Sequence, residues 1–167
     1  QIQREMIRET IKEHIKREFY LRGSGIKVLS LFFVDKVASY LEYDDQGNQV
    51  DGKFVKWFDE LYREERAKSP LYIEMLPNDP FEVRKAYFAE MRKKGATTLK
   101  DSTGNSKEDE SAYDLIMKGK EKLLDNANPV RFIFSHSALK EGWDNPNVFQ
   151  ICMMRESSSE NDRRQTI

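Results

Sequence analysis

The stretch RFIFSHSALKEGWDNPNVFQICMM, residues 131–154, decides the fold that this chain adopts. It begins and ends with short apolar runs, RFIFS and VFQICMM, which are rich in β-branched and aromatic residues. Runs of this length without polar alternation are typical of strands buried on both faces, as in a parallel sheet. The segment between the runs holds hydroxyls, a glycine, an aspartate and a proline, so it is either a turn or a functional loop.

Nearer the amino terminus the same strand pattern occurs once more, in IKVLSLFFV at residues 26–34. Residues 1–22 precede it and predict one amphipathic helix, which the glycines at 23 and 25 end. The apolar positions of that helix are Ile2, Met6, Ile11 and Ile15. Asp35 follows the strand and is a candidate N-cap for a second helix that reaches about Leu41.

The middle of the chain alternates polar and amphipathic segments. Residues 44–52 (DDQGNQVDG) predict a turn, and residues 54–68 predict a helix whose Trp57, Phe58 and Leu61 anchor it in the core. Residues 95–111 predict a flexible loop, and a further helix is expected from Ala112 to Leu124. Strands that alternate with helices predict an α/β fold, a parallel sheet sandwiched by helices in a single domain over residues 1–167.

Composition limits the partners of this domain. The chain has 28 basic and 29 acidic residues and a net charge of −1, so any nucleic-acid contact must come from a local patch. No run reaches the ~18 apolar residues of a membrane span, and we expect no membrane partner. The single Cys152 lies in an apolar run and is expected to be a buried thiol, which suits a reducing, cytoplasmic location.

Five residues at the end of the first strand and in the segment that follows it could carry chemistry: Ser135, His136, Ser137, Gly142 and Asp144. Ligands of parallel sheets bind where strands end, and a glycine there lets a phosphate or ribose approach the backbone. An aspartate can accept from sugar hydroxyls, and serine hydroxyls can donate to phosphates. On these residues alone, ordinary turn chemistry is the simpler explanation. A metal site is not expected, because no second ligand stands near His136.

The sequence around these residues also resembles a known family. FIFSHSALKEGWDNPNVFQIC is similar to motif V of superfamily 2 helicases, in the form found in the restriction subunit of type III restriction-modification enzymes. IKVLSLFFVDKVASY (residues 26–40) resembles motif IV, residues 113–132 resemble the lead-in to motif V, and RRQTI (residues 163–167) resembles the start of motif VI. These matches cover about half of the chain in the family's order, whereas residues 42–111 match weakly and receive no function.

The resemblance implies a truncated RecA-like second lobe of an ATP-dependent motor. A first lobe of the same protein would then carry the phosphate-binding loop and hold most of the ATP and Mg²⁺. Gly142 and Asp144 match motif V positions that line the nucleotide, and Gln165 matches the first residue of motif VI. The arginine finger of this family would lie beyond Ile167. We therefore expect no catalytic residue in this chain and no activity from the chain alone.

The resemblance also implies a track for double-stranded DNA and a protein partner. Ser135, His136 and Ser137 lie where motif V turns toward the nucleic-acid backbone, and Lys36 follows the motif IV strand. Contacts to phosphates from these residues would be independent of base sequence, as movement along DNA requires. Lys36 is equally well explained as a solvated helix residue. A methyltransferase subunit is the expected partner, and site recognition and cleavage would lie elsewhere.

Two other functions remain open from sequence. A different superfamily 2 motor, such as a repair helicase, would share Glu141, Gly142, Asp144 and Pro146 but need not share the residues around them. A non-enzymatic α/β module that binds nucleic acid could carry a similar glycine loop by chance. A phosphate-binding motif G-x-x-x-x-G-K-[ST] upstream in the gene would favour a motor over a binding module.

Overall fold

The protein is built on a sheet of mostly parallel strands against which helices pack. The computed structural model describes residues 2–93, 96–100, 122–136, 148–154 and 164–166. Its elements are α1 (Ile2–Leu21), β1 (Leu29–Val34), a 3-10 helix (Val37–Ser39), β2 (Leu41–Tyr43), β3 (Gln49–Asp51), α2 (Lys53–Arg66), α3 (Pro70–Met75), α4 (Pro80–Val83), β4 (Arg84–Tyr87), β5 (Ala89–Lys93), β6 (Ala96–Lys100), β7 (Phe132–His136), β8 (Val148–Met154) and β9 (Arg164–Thr166).

The main sheet has the strand order β4-β7-β1-β8-β9. The first four strands of that order run parallel, and β9 is antiparallel to β8. The three apolar runs of the sequence become β1, β7 and β8, which are the three adjacent strands at the centre of the sheet. The predicted α/β class is confirmed, and a parallel four-stranded sheet flanked by helices is compatible with a RecA-like lobe.

Both faces of the central strand are covered, because every residue of β1 is buried. Successive strand residues face opposite sides, so Phe32 and Val34 join one core cluster while Leu31 and Phe33 join another. The first cluster packs against α1 and α2, and the second includes Leu123 of the helical residues 122–124. This two-sided burial explains why the strand sequence shows no polar alternation.

The two long helices follow the predicted ones closely. Helix α1 buries Ile7, Ile11 and Ile15, whereas Ile2 of the predicted face is 54% exposed. Helix α2 buries Phe58 and Leu61 completely, as predicted, and Trp57 packs at the margin of the same cluster. The glycines at 23 and 25 end α1 with φ values of 83° and 81°, a conformation that residues with a Cβ rarely adopt.

The helix predicted from Asp35 to about Leu41 is wrong. The chain makes only a 3-10 helix at Val37–Ser39, whose N-cap is Lys36, and Leu41 already belongs to β2. Tyr40 ends the turn in the core at 8% exposure, and its carbonyl accepts the Gly52 amide at 2.8 Å. A hydrogen-bond partner twelve residues downstream therefore replaces the next helical turn, and local helix signals do not encode such a partner.

Two segments predicted as turn or loop contain strands. Within residues 44–52 the turn covers Asp44 to Asn48, with Gly47 at φ 80°, and Gln49–Asp51 form β3 against β2. Residues 96–100, predicted as part of a flexible loop, form β6 and pair with β5. Residues 101–111 of that loop lie outside the described residues, and so does most of the helix expected from 112 to 124.

Candidate functional site

The carboxyl ends of the four parallel strands form one edge of the sheet, which we call the carboxyl edge. Val34 at the end of β1 is the Cα partner of His136 on β7 and of Met154 on β8. Tyr87 at the end of β4 is the partner of Ser135. The strands therefore end within about one residue of a common line, which is where open parallel sheets bind ligands.

Ser135 is a buried hydroxyl at this edge. Its side chain is 0% exposed, and its Oγ donates a hydrogen bond to the Tyr87 carbonyl at 3.0 Å. This bond joins the ends of β4 and β7. A phosphate contact from Ser135, as the resemblance implies, would require the hydroxyl to turn away from that carbonyl.

His136 and Lys36 occupy the same edge as Ser135. His136 is the last residue of β7 and is 6% exposed, while Lys36 lies two residues beyond the end of β1 and is exposed. Val34, the last residue of β1, is the Cα partner of His136, so the two neighbouring strands deliver both residues to one place. The structure thus brings three of the four predicted nucleic-acid contacts together, and Ser137 lies outside the described residues.

The structure describes only one of the three predicted nucleotide contacts, Gln165. Gly142 and Asp144 fall within residues 137–147, which lie outside the described residues between β7 and β8. Gln165 lies on β9, where its Cα pairs with Ile151, and Ile151 pairs with Leu31 of β1. Leu31 stands three residues before the end of β1, so the backbone of Gln165 lies roughly 10 Å from the carboxyl edge. The fold does not group Gln165 with Ser135 and His136.

The opposite edge carries a buried polar cluster that sequence reasoning missed. His14 on α1 is 0% exposed, with its Nδ1 2.7 Å from the Ser30 hydroxyl and its Nε2 3.2 Å from the Glu18 carboxylate. The Arg131 guanidinium donates to the same carboxylate at 2.7 Å, and the His14 ring packs on Phe132 at 4.4 Å. The i,i+4 spacing of His14 and Glu18 on one helix was the signal for this cluster.

Burial sets the charge states at this amino edge. It lowers the pKa of His14, which is therefore neutral at pH 7. Burial alone would raise the pKa of Glu18, but the hydrogen bonds from His14 and Arg131 and the positive charge of Arg131 lower it overall. Burial, with repulsion from Arg131, also lowers the pKa of Lys27 to about 8. The Lys27 ammonium donates to the carbonyls of Asp125 and Asn128, so these polar groups join α1 and β1 to the segment before β7.

The part of the chain that the structure describes contains neither a membrane-spanning helix nor a cluster of metal ligands. Within it, no helix combines the length and apolar character needed to cross a membrane. Nor does that part bring three or more histidine, cysteine, aspartate or glutamate side chains close enough to share a metal ion. Cys152 is a buried free thiol on β8, as its apolar surroundings predicted.

Comparison with known proteins gives three close relatives. No family model matches the chain. The chain is 36% identical to the type III restriction-modification enzyme EcoPI Res subunit of Escherichia phage P1, and 35% identical to the EcoP15I Res subunit of Escherichia coli. It is 31% identical to the StyLTI Res subunit of Salmonella typhimurium. Each alignment includes 97% of this chain but only 16% to 18% of the relative, so the chain spans about a sixth of the relatives' length.

Proposed function

The chain is homologous to one segment of the Res subunits of type III restriction-modification enzymes, and from this we propose that it is the second RecA-like lobe of their DNA motor. One observation carries the proposal. The segment that resembles motif V begins with β7, whose end meets the end of β1, the strand that resembles motif IV. Two segments that are distant in sequence thus supply Ser135, His136 and Lys36 to one edge, as a shared ligand site requires.

The nucleotide would lie between this lobe and a first lobe elsewhere in the protein. In this proposal the first lobe holds most of the ATP and Mg²⁺, and Gly142, Asp144 and Gln165 form part of the opposing wall. ATP binding would close the lobes and hydrolysis would reopen them. The donors found at the carboxyl edge, a hydroxyl, an imidazole and an ammonium group, suit phosphate oxygens. The arginine finger would come from another part of the protein, and its loss alone costs ~10³-fold or more in related phosphoryl transfers.

Double-stranded DNA would contact the same edge through its backbone. Lys36 offers an exposed charge for a phosphate, Ser135 and His136 offer hydrogen bonds at the adjacent strand end, and Ser137 follows them in the sequence. Phosphate contacts position a protein on DNA without reading its sequence, which suits a motor that moves along any sequence. A methyltransferase subunit would be the partner of the whole enzyme.

Substitution of Asp144 tests the nucleotide side of this proposal. In the full-length enzyme, Asp144→Ala should reduce DNA-stimulated ATP hydrolysis roughly tenfold or more, because it removes a preorganised acceptor from the interlobe site. Asp45→Ala is the matched control, since Asp45 is an exposed aspartate in the turn between β2 and β3. Wild-type ATPase in the Asp144 variant would mean that Asp144 is only a turn residue.

A further inference from the structure

Two hairpins leave the carboxyl edge and carry opposite charge. The acidic hairpin, β2 and β3 with their turn (residues 41–51), contains Glu42, Asp44, Asp45 and Asp51 and no lysine or arginine. The basic hairpin is β5 paired with β6, and its described strands carry Arg92, Lys93 and Lys100 against the single acid Glu90. In a chain whose net charge is −1, this separation of charge is a local feature and not a reflection of composition.

The base of the basic hairpin lies at the candidate site. Tyr87, the last residue of β4, is the partner of Ser135, and only the buried Phe88 separates it from Ala89, where β5 begins. A strand advances about 3.3 Å per residue, so the hairpin starts roughly 7 Å from the end of β4. Only β7 separates β4 from β1, which places the ends of those two strands about 10 Å apart.

The register of the hairpin spreads its charges along its length. Lys100 is paired with Ala89 at the base, and Lys93 is paired with Ala96 at the far end. Residues an even number apart share a face of a strand, so the pairs at Ala89 and Lys93 place both lysines on one face. The two positions are separated by about 13 Å along the strand, which equals roughly four base-pair steps of B-DNA.

We propose that the basic hairpin is a second contact to the DNA backbone, which extends the track at the carboxyl edge outward past β4. This inference rests on the proposed function, and it assigns a role to part of the weakly matching region 42–111. Its ligand is duplex DNA, because the hairpin strands contain no aromatic residue on which unpaired bases could stack. The exposed Lys85 lies on β4, two residues before the end of that strand, with its Nζ 5.4 Å from the centre of the Tyr87 ring.

Neutralising the hairpin tests this proposal in the full-length enzyme. The variant Arg92→Gln/Lys93→Gln/Lys100→Gln should bind a 30-base-pair duplex roughly tenfold more weakly at moderate salt. Its plot of log affinity against log salt should flatten by about 2 to 3, because each lost phosphate contact removes ~0.9 from the slope. The control Lys12→Gln/Lys16→Gln/Lys56→Gln removes three lysines of α1 and α2 and should change neither quantity.

The outcome of the binding measurement distinguishes failure of the hairpin proposal from failure of the proposed function. If the hairpin variant keeps the affinity and slope of the unmodified enzyme while Lys36→Gln weakens binding, the hairpin proposal is overturned and the proposed function stands. Equal losses in the hairpin variant and in the control would also overturn it, because the effect would follow total charge. Failure of the unmodified enzyme to bind duplex DNA would overturn both proposals.

Photo-crosslinking provides a second test that does not depend on the triple variant folding. Cys152 is the chain's only cysteine and is 0% exposed, so a thiol-reactive crosslinker would label an added surface cysteine selectively. In this chain, labelled Thr98→Cys, which pairs with Met91 on the face of Lys93 and Lys100, should crosslink to duplex DNA, whereas labelled Val50→Cys on the acidic hairpin should crosslink several-fold less. Equal yields at the two positions would contradict the proposal.

Discussion

The two edges of the parallel sheet differ in how their polar side chains are arranged. At the amino edge, His14, Ser30, Glu18 and Arg131 satisfy one another in a buried cluster. At the carboxyl edge, an exposed lysine, a buried histidine and two charged hairpins surround the strand ends. The contrast teaches that polar residues at strand ends differ in their surroundings, because those at the amino edge pair with one another inside the fold whereas Lys36 at the carboxyl edge faces solvent.

Loss of Arg131 should have the largest effect on stability. Arg131→Ala leaves the mostly buried Glu18 carboxylate without its closest cation, so the free energy of unfolding of this chain should fall by about 3 kcal/mol. Urea denaturation measures it, and Lys16→Ala on the exposed side of α1 is the control, with an expected change below ~0.5 kcal/mol. Similar losses of unfolding free energy in the two variants would show that the buried cluster stabilises the fold no more than an exposed side chain of α1 does.

Lowering the pH should also destabilise the amino edge, but by less than the Arg131→Ala substitution. The pKa of His14 is lowered below 6.5 in the folded protein, so the unfolded chain binds more protons as the pH falls through that value. The free energy of unfolding should therefore decline from pH 7 to pH 5, and His14→Gln should flatten the decline. An unchanged pH profile in that variant would show that the pKa of His14 does not differ between the folded and unfolded states.

Ser135→Ala should be milder than Arg131→Ala in its effect on folding. It removes a single hydrogen bond to the Tyr87 carbonyl, which corresponds to a loss of about 1 kcal/mol in urea denaturation. Ser30→Ala, which removes the hydroxyl partner of His14, gives a matched serine at the other edge. If Ser135 also contacts DNA, only the Ser135 variant should weaken duplex binding by the full-length enzyme.

Lys36→Gln should have the smallest effect on folding and a clear effect on DNA. Lys36 is exposed, so unfolding should change by less than ~0.5 kcal/mol. Loss of one phosphate contact should lower the salt slope of duplex binding by about one. A stable variant with an unchanged slope would show that Lys36 does not contact DNA.

The sequence was most informative where physical signals are local. The runs that became β1, β7 and β8 were identifiable because strands buried on both faces contain almost no polar residues. Helix α2 was equally clear, since its apolar residues recur with helical spacing. Cys152 was predicted to be buried for the same reason that its strand was recognised.

Long-range pairing limited the rest of the prediction. The segment after Asp35 carries a helix start signal, yet Tyr40 anchors in the core and Gly52 pairs with its carbonyl, which no local pattern encodes. Strand β6 is polar and short, so only its register with β5 reveals it. The motif resemblance named Gln165, but its distance from the carboxyl edge depends on how β9 pairs with β8.

Our proposal is that this chain supplies one wall of an ATP site shared by two lobes. Its most direct test compares DNA-stimulated ATP hydrolysis by the purified 167-residue chain with that of the full-length enzyme at equal molar concentration. The account predicts no hydrolysis above background by the chain, with or without duplex DNA, and clear DNA-dependent turnover by the full-length enzyme. Turnover that stays with the chain through rigorous purification, or a full-length enzyme that does not hydrolyse ATP, would contradict it.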